Sequence, residues 1–309
     1  KFVEYIWRTK VKKEDKKLSP VSDTTVVKLE KEELWVNPVG GYGDILMLSG
    51  VLKLAYDKDP LQKYNLVRRT KYTNLLKGHP AIKQIGFPPK DAKFVNTNYW
   101  NDDNYESGKN RAFQLLAESF GLKTPVEEKL FLAGGFEEDP LLDKIIPWKK
   151  KNIIICPTSD SPRKVMHPIA WHNIVQRLTA EGVFVVQVGK ISDLHIKGAY
   201  SLLNLTSPRQ LISLLKKCNF VITSDNFIMH AAHLVEKPAV VLWGPTKSSV
   251  YGYKEHKHIE APLDHCNKKN ECLGPRFPQH YPTVCPLGPE HCMNKISLDQ
   301  VFNSIFTLL

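Results

Sequence analysis

Short apolar runs alternate with amphipathic stretches along most of the chain. Leu34-Trp35-Val36-Asn37 reads as a short strand. Ile45, Leu46, Leu48, Val51, Leu52 and Leu54 follow at helical spacing. Tyr64–Arg69 and Ala92–Thr97 read as further strands. Lys109–Phe120 reads as a helix with Phe113, Leu116 and Ala117 on one face and Gly121 placed to end it. A stretch rich in Pro, Trp and Lys interrupts the pattern around Asp139–Lys151, with Ile146–Lys150 as a linker. The alternation then resumes with strand Asn152–Cys156, helix Pro168–Ala180 and strand Val183–Val188. Trp171, Ile174, Val175 and Leu178 give that helix its apolar stripe, and Gly182 follows it. Ser207-Pro208 is a cap and first-turn pair for a helix through Lys217. Strand Phe220–Thr223 feeds a polar turn at Ser224-Asp225-Asn226, an apolar helix to about Val235 and a strand through Trp243.

Two successive sets of strand–helix–strand units predict an α/β chain with two Rossmann-like domains facing a central cleft. The expected division is a basic N-terminal segment at 1–33, a first domain at 34–148 and a second at 149–309. The second domain includes a cysteine-rich loop at 265–293 and a terminal helix. A length of 309 residues, 42% of them hydrophobic, suits two packed cores. No apolar run approaches the roughly 18 residues that cross a bilayer. Lys1–Lys17 lacks the apolar stretch of a secretory signal, so a cytoplasmic location is expected. The net charge of +11 implies attraction to something negative. Phe2, Tyr5, Ile6 and Trp7 beside Arg8, Lys10, Lys12, Lys13, Lys16 and Lys17 suit an anionic membrane edge, and equally a solvated tail. Nothing resembles a nucleic-acid module, so no nucleic-acid partner is expected.

The turns carry the chemistry. Gly40-Gly41-Tyr42-Gly43-Asp44 places glycines where ligand atoms can approach backbone, followed by an acid at a helix start. Asp44 is a candidate general base, or a capping acid favoured by the helix dipole. The turn lacks the G-x-G-x-x-G spacing of nicotinamide sites, and Arg68 and Arg69 stand where such sites carry an acid. Pro157-Thr158-Ser159, with Arg163 and Lys164 downstream, offers hydroxyls and cations suited to a diphosphate, or simply a solvated loop. Asp225 and Asn226 sit at another helix start that can hold an anion, with His230 one turn further on the same side. Alternatively Asp225 caps that helix and His230 packs.

The ordered set of motifs resembles glycosyltransferase family 9, the bacterial heptosyltransferases of lipopolysaccharide synthesis and their relatives. It comprises Gly41–Leu46, Pro157-Thr158-Ser159, Leu205–Leu215, S-D-x-x-x-M-H at Ser224–His230, and Lys237–Thr246. Cys292-Met293 with Ile296-Ser297 completes it. The resemblance implies a GT-B fold whose terminal helix crosses back to the first domain. It also implies inverting transfer from a nucleotide-diphosphate sugar, ADP-activated by preference, without a catalytic metal. Asp44 would be the base, with Gly43, Thr158, Ser159, Arg163 or Lys164, Asp225, Asn226, Phe227 and His230 about the donor. The expected acceptor is a lipopolysaccharide core or related anionic glycan or glycolipid. A protein acceptor, or a nucleotide-sugar binder without catalysis, stays open. Family members often carry Thr-Gly or Ser-Gly where this chain has Asn226-Phe227, so donor specificity does not carry over.

Cys156 and Cys218 read as small core residues. Cys266, Cys272, Cys285 and Cys292 cluster in one loop, with no C-x2-C knuckle. Reduced thiols in a cytoplasmic enzyme favour a structural Zn or Fe there, with free thiols as the alternative. One branch of the family is similar in holding iron with four cysteines.

Overall fold

The computed structural model describes residues 31–68, 71–101, 110–264, 266, 285 and 287–309. The basic segment at 1–33 lies outside them but for its last three residues, as does most of the loop at 265–293. Strands β1 (Leu34–Val36), β2 (Tyr64–Val67), β3 (Ile82–Gly86) and β4 (Lys93–Val95) form a parallel sheet in the order β3-β2-β1-β4. A second parallel sheet holds β5 (Asn152–Cys156), β6 (Phe184–Gly189), β7 (Tyr200–Leu203), β8 (Phe220–Ser224), β9 (Ala239–Trp243) and β10 (Lys257–Glu260). Its order is β10-β9-β8-β5-β6-β7. β5, β8 and β9 are buried at every position. Continuous apolar runs of this kind belong to central strands covered on both faces.

In each sheet the winding reverses once, between β1 and β4 and between β5 and β8. Loops leaving the carboxyl ends of such strands diverge and open a crevice. Those reversals decide where the site sits.

Helix α1 (Tyr42–Lys58) follows β1 and buries Ile45 through Leu48, Val51, Leu52 and Ala55. α2 (Ala112–Ser119), α3 (Pro140–Ile145), α4 (Pro168–Ala180), α5 (Pro208–Leu215), α6 (Phe227–Leu234), α7 (Ser248–Tyr251) and α8 (Leu298–Phe306) follow. α1 is apolar nearly all round because it is enclosed on several sides, packing on α2 and directly on α6. One continuous core therefore runs from Val36 and Leu66 through α1 to Met229, Ile154 and Trp243. Glu32–Leu309 clusters as a single compact unit containing both sheets. A second core lies on the other face of the larger sheet, where Trp171 and Ile174 of α4 meet Ile153, Ile155 and Phe220.

The terminal helix joins that second core. Val301, Phe302 and Ile305 are buried in it, and the Arg177 guanidinium lies 4.2 Å over the Phe302 ring. The buried face of α8 packs within the larger sheet's half. Its single apolar stripe is spent on α4, β9 and β10. The interruption around Asp139–Lys151 contains α3, started by Asp139, whose carboxylate accepts from the Leu141 and Leu142 amides at 2.9 and 3.3 Å. Strands β3, β7 and β10 are only partly buried, so they carry no continuous apolar run to mark them.

Candidate active site

Both reversals open onto one cavity of about 820 Å³. The loop after β1 and the segment after β4 form one wall; the loops after β5 and β8, flanked by those after β6, β7 and β9, form the facing one.

On the first wall, Gly40 holds φ at +82°, a region L side chains rarely adopt. A Cβ there would come within 2.2 Å of the Asp44 carboxylate. Asp44 stands in the first turn of α1, where its Oδ2 accepts from the Gly41 amide at 2.8 Å. That is the reach-back half of a capping box, so the capping role is real. Oδ1 accepts from the Tyr99 hydroxyl, which arrives from just beyond β4. Burial pushes the Asp44 carboxyl above the ordinary aspartate range, with the Tyr99 and Gly41 hydrogen bonds opposing. A carboxylate so placed is a stronger base than an exposed one.

On the facing wall, Asn226 is the N-cap of α6, its Oδ1 accepting from the Ile228 amide at 2.8 Å. Its Nδ2 donates to the Thr158 carbonyl at 2.7 Å and so ties the β5 loop to the β8 loop. Asp225 does not cap the helix. Its Oδ2 accepts from Lys164 Nζ at 2.7 Å and from the Thr246 hydroxyl at 2.6 Å. Burial raises the Asp225 carboxyl, but Lys164, Thr246 and His230 outweigh it and hold the group below the ordinary range. Ser159 donates to the Asp225 carbonyl at 3.1 Å, and Thr158 to Asp193 Oδ2 at 2.6 Å.

His230 lies one turn into α6, 4% exposed. Burial lowers it to about 4, Asp225 opposing, so the ring is neutral at neutral pH. It can offer an N–H to an anion but not a full charge. Nδ1 shares a 2.7 Å hydrogen bond with the Tyr253 hydroxyl. The opposite edge faces Gly43, where a Cβ would sit 2.6 Å from Cδ2. The Phe227 ring packs 5.3 Å from Tyr42, which precedes Gly43, at a 50° tilt.

Asp44, Gly43, Thr158, Ser159, Lys164, Asp225, Asn226, Phe227 and His230 all line the cavity. Arg163 does not; it is 5% exposed and outside the lining. Of the two cations proposed for the diphosphate, the fold presents Lys164. Tyr99, Asp193, Lys190 and Thr246 line the cavity without having been singled out. Thr246 ends the Lys237–Thr246 motif and was within reach of sequence reasoning. Cys156 also lines it, but burial pushes its thiol up to about 12, so it is no thiolate nucleophile.

Among the described residues, no three His, Cys, Asp or Glu side chains gather to hold a metal. Cys266 is buried, and Cys285 and Cys292 are half-buried. Cys272 lies outside the described residues. The expected structural Zn or Fe site falls on a loop that lies mostly outside the described residues.

Two parallel sheets with winding reversals facing one cavity, an acid on one wall and an anion-ready helix start on the other, define a GT-B-type glycosyltransferase. The family model for glycosyltransferase family 9 (heptosyltransferase) matches residues 70–273. The chain belongs to that family.

Solved structures agree in fold. The family 9 glycosyl transferase from Veillonella parvula DSM 2008 superposes with a TM-score of 0.65 at 14% identity, over 91% of this chain and 98% of that one. TibC, an iron-containing dodecameric glycosyltransferase from enterotoxigenic E. coli H10407, gives 0.68 at 16% identity, over 91% and 77%. It is also known in complex with ADP-D-beta-D-heptose. The E. coli ADP-heptose LPS heptosyltransferase II gives 0.59 at 15% identity, over 90% and 98%. No curated protein matches the sequence.

Proposed function

We propose that this protein moves a heptose or similar sugar, with inversion, from a nucleotide-diphosphate donor to a hydroxyl of a lipopolysaccharide-core or related glycan. Asp44 is the general base. The supporting observation is the pair of aspartates on facing walls of one cavity, half-buried Asp44 poised to take a proton and buried Asp225 locked as an anion. In this reading 34–148 binds the acceptor and 149–309 the donor. An ADP-sugar is favoured because TibC, which shares the fold, is known with ADP-D-beta-D-heptose.

The acceptor oxygen attacks the anomeric carbon as its proton passes to Asp44. The bond from that carbon to the diphosphate oxygen breaks on the opposite face, and the nucleoside diphosphate leaves with the electron pair. The sugar passes through an oxocarbenium-like state, as in glycoside hydrolysis. Lys164, the Thr158 and Ser159 loop, the amides at the start of α6 and a His230 N–H stabilise the departing charge. These groups are fixed in advance by their own hydrogen bonds, which is what makes such stabilisation effective.

A protein acceptor is the second reading, and one observation favours it. Among the described lining residues the Lys side chains are Lys164 and Lys190, both from the larger sheet's half, while Tyr99, Trp100 and Tyr251 stand near Asp44. That wall suits an uncharged acceptor better than a phosphorylated one. The enzyme would act in the cytoplasm at the inner membrane face, held there by its basic N-terminal segment. No helix among the described residues is long and apolar enough to cross a membrane.

Mass spectrometry after incubation with a panel of nucleotide sugars, with core oligosaccharide or acceptor peptide, tests this. Product mass should rise by one glycosyl unit with an ADP-sugar, and Asp44→Ala should abolish the gain while still binding ADP. Normal transfer by Asp44→Ala would overturn the base assignment. Binding without turnover by the unaltered protein would leave a catalytically inactive nucleotide-sugar binder.

A further inference from the structure

We propose that Tyr253 is a positioning residue: its hydroxyl donates to His230 Nδ1, placing the imidazole proton on Nε2, where it serves as a fixed donor to a phosphate oxygen of a nucleoside diphosphate. This rests on the reading of the cavity as a nucleotide-sugar site, but the tautomer itself does not.

Tyr253 lies between α7 and β10 and is 3% exposed. The His233 ring stacks on it at 3.7 Å and 8°, and the His256 ring meets its edge at 5.6 Å. Glu128 and Glu255 are close enough to act on the phenol electrostatically, and burial holds it well above its ordinary range. The phenol therefore stays protonated and must place its hydrogen. Among the described residues its hydroxyl has one partner, His230 Nδ1 at 2.7 Å. If Nδ1 carried the ring proton, the buried phenol hydrogen would have no acceptor, an arrangement native proteins avoid. Nδ1 must then be the acceptor, and in a neutral imidazole that puts the proton on Nε2.

Nε2 has no hydrogen-bond partner among the described residues, and His230 lines the cavity. The Nε2 edge is turned to Gly43, where a Cβ would sit 2.9 Å away and cover it. The donor is thus held ready at the floor of the site, and the residue that orients it never meets the ligand.

The test is nitrogen NMR of the full chain labelled with 15N-histidine, with calorimetric titration of ADP. Wild type should show His230 with Nδ1 unprotonated and Nε2 protonated. Tyr253→Phe should lose that bias and weaken ADP binding by about tenfold, the scale of one hydrogen bond to a charged group. Adding Tyr253→Phe to His230→Ala should cost little more than His230→Ala alone, because the two act through one bond. An Nδ1-protonated ring in wild type overturns the proposal, as does a Tyr253→Phe variant that keeps the tautomer, or additive losses. If Tyr253→Phe does not fold, the wild-type spectrum still decides. If wild type does not bind ADP, the donor-site reading fails while the spectrum judges Tyr253 separately.

Discussion

Asp44 and Asp225 are the same residue type on facing walls of one cavity, Asp44 half-buried in the first turn of α1 and Asp225 buried just before the N-cap of α6. Their carboxyls nevertheless move in opposite directions. Asp44 receives hydrogen bonds from a phenol and one amide, with no cation among its hydrogen-bond partners in the described residues. Asp225 has Lys164 at 2.7 Å and Thr246 at 2.6 Å. Burial alone does not decide what a carboxylate does; the partner does. A group left with a proton-accepting tendency suits chemistry, and a group pinned as an anion suits architecture.

The largest effect should come from Asp44→Asn. Loss of a general base costs about 10² to 10⁴ in rate, so kcat should fall by that much while ADP affinity stays within about twofold. Next comes Asp225→Ala, which leaves the Lys164 charge in a largely buried place without its carboxylate. Breaking such a pair costs about 3–5 kcal/mol, read as a lower urea midpoint with an unchanged slope, and donor binding should fall with it. If the two variants exchanged phenotypes, the contrast between the walls would be inverted.

A finer test uses Tyr99→Phe. Its hydrogen bond favours the Asp44 carboxylate, so removing it should raise the acid limb of the kcat/KM profile, with KM for the donor unmoved. An acid limb that stays in place would dissociate Tyr99 from the base. The smallest effect is on stability against pH. Asp225, lowered by its partners, contributes stability above its unfolded pKa that is lost as pH falls through the folded value. Asp44, raised by burial, works the other way: the fold loses stability as pH climbs from the unfolded value to the folded one. Asp44→Asn should therefore cost no stability at neutral pH, whereas Asp225→Asn should, in paired melting curves.

Much of this arrangement is legible in local pattern. Asn152–Cys156 and Pro168–Ala180 are read to the residue, because a fully apolar strand and a Pro-started helix followed by Gly182 are strong local signals. The fold places Asp44, Asp225, Asn226, Lys164 and His230 at the cavity because loops at winding reversals converge whatever their sequence. What escaped notice depends on distance along the chain. Tyr99 meets Asp44 across 55 positions, and Thr158 meets Asp193 across 35. No periodicity encodes either meeting. Arg163 and Lys164 are neighbours of identical charge, and only the backbone path through Pro162–Lys164 decides which lines the cavity.

Gly43 bears on how this enzyme can be redesigned. The bare edge of one imidazole and a single hydrogen atom set the gap between the acid's helix and the anion's helix. Randomising positions 40 to 44 and selecting for sugar transfer should return varied residues at 42 but glycine at 43. Altered donor preference would have to be sought elsewhere in the cavity, since a methyl at that spot acts as a wedge between α1 and the imidazole on α6.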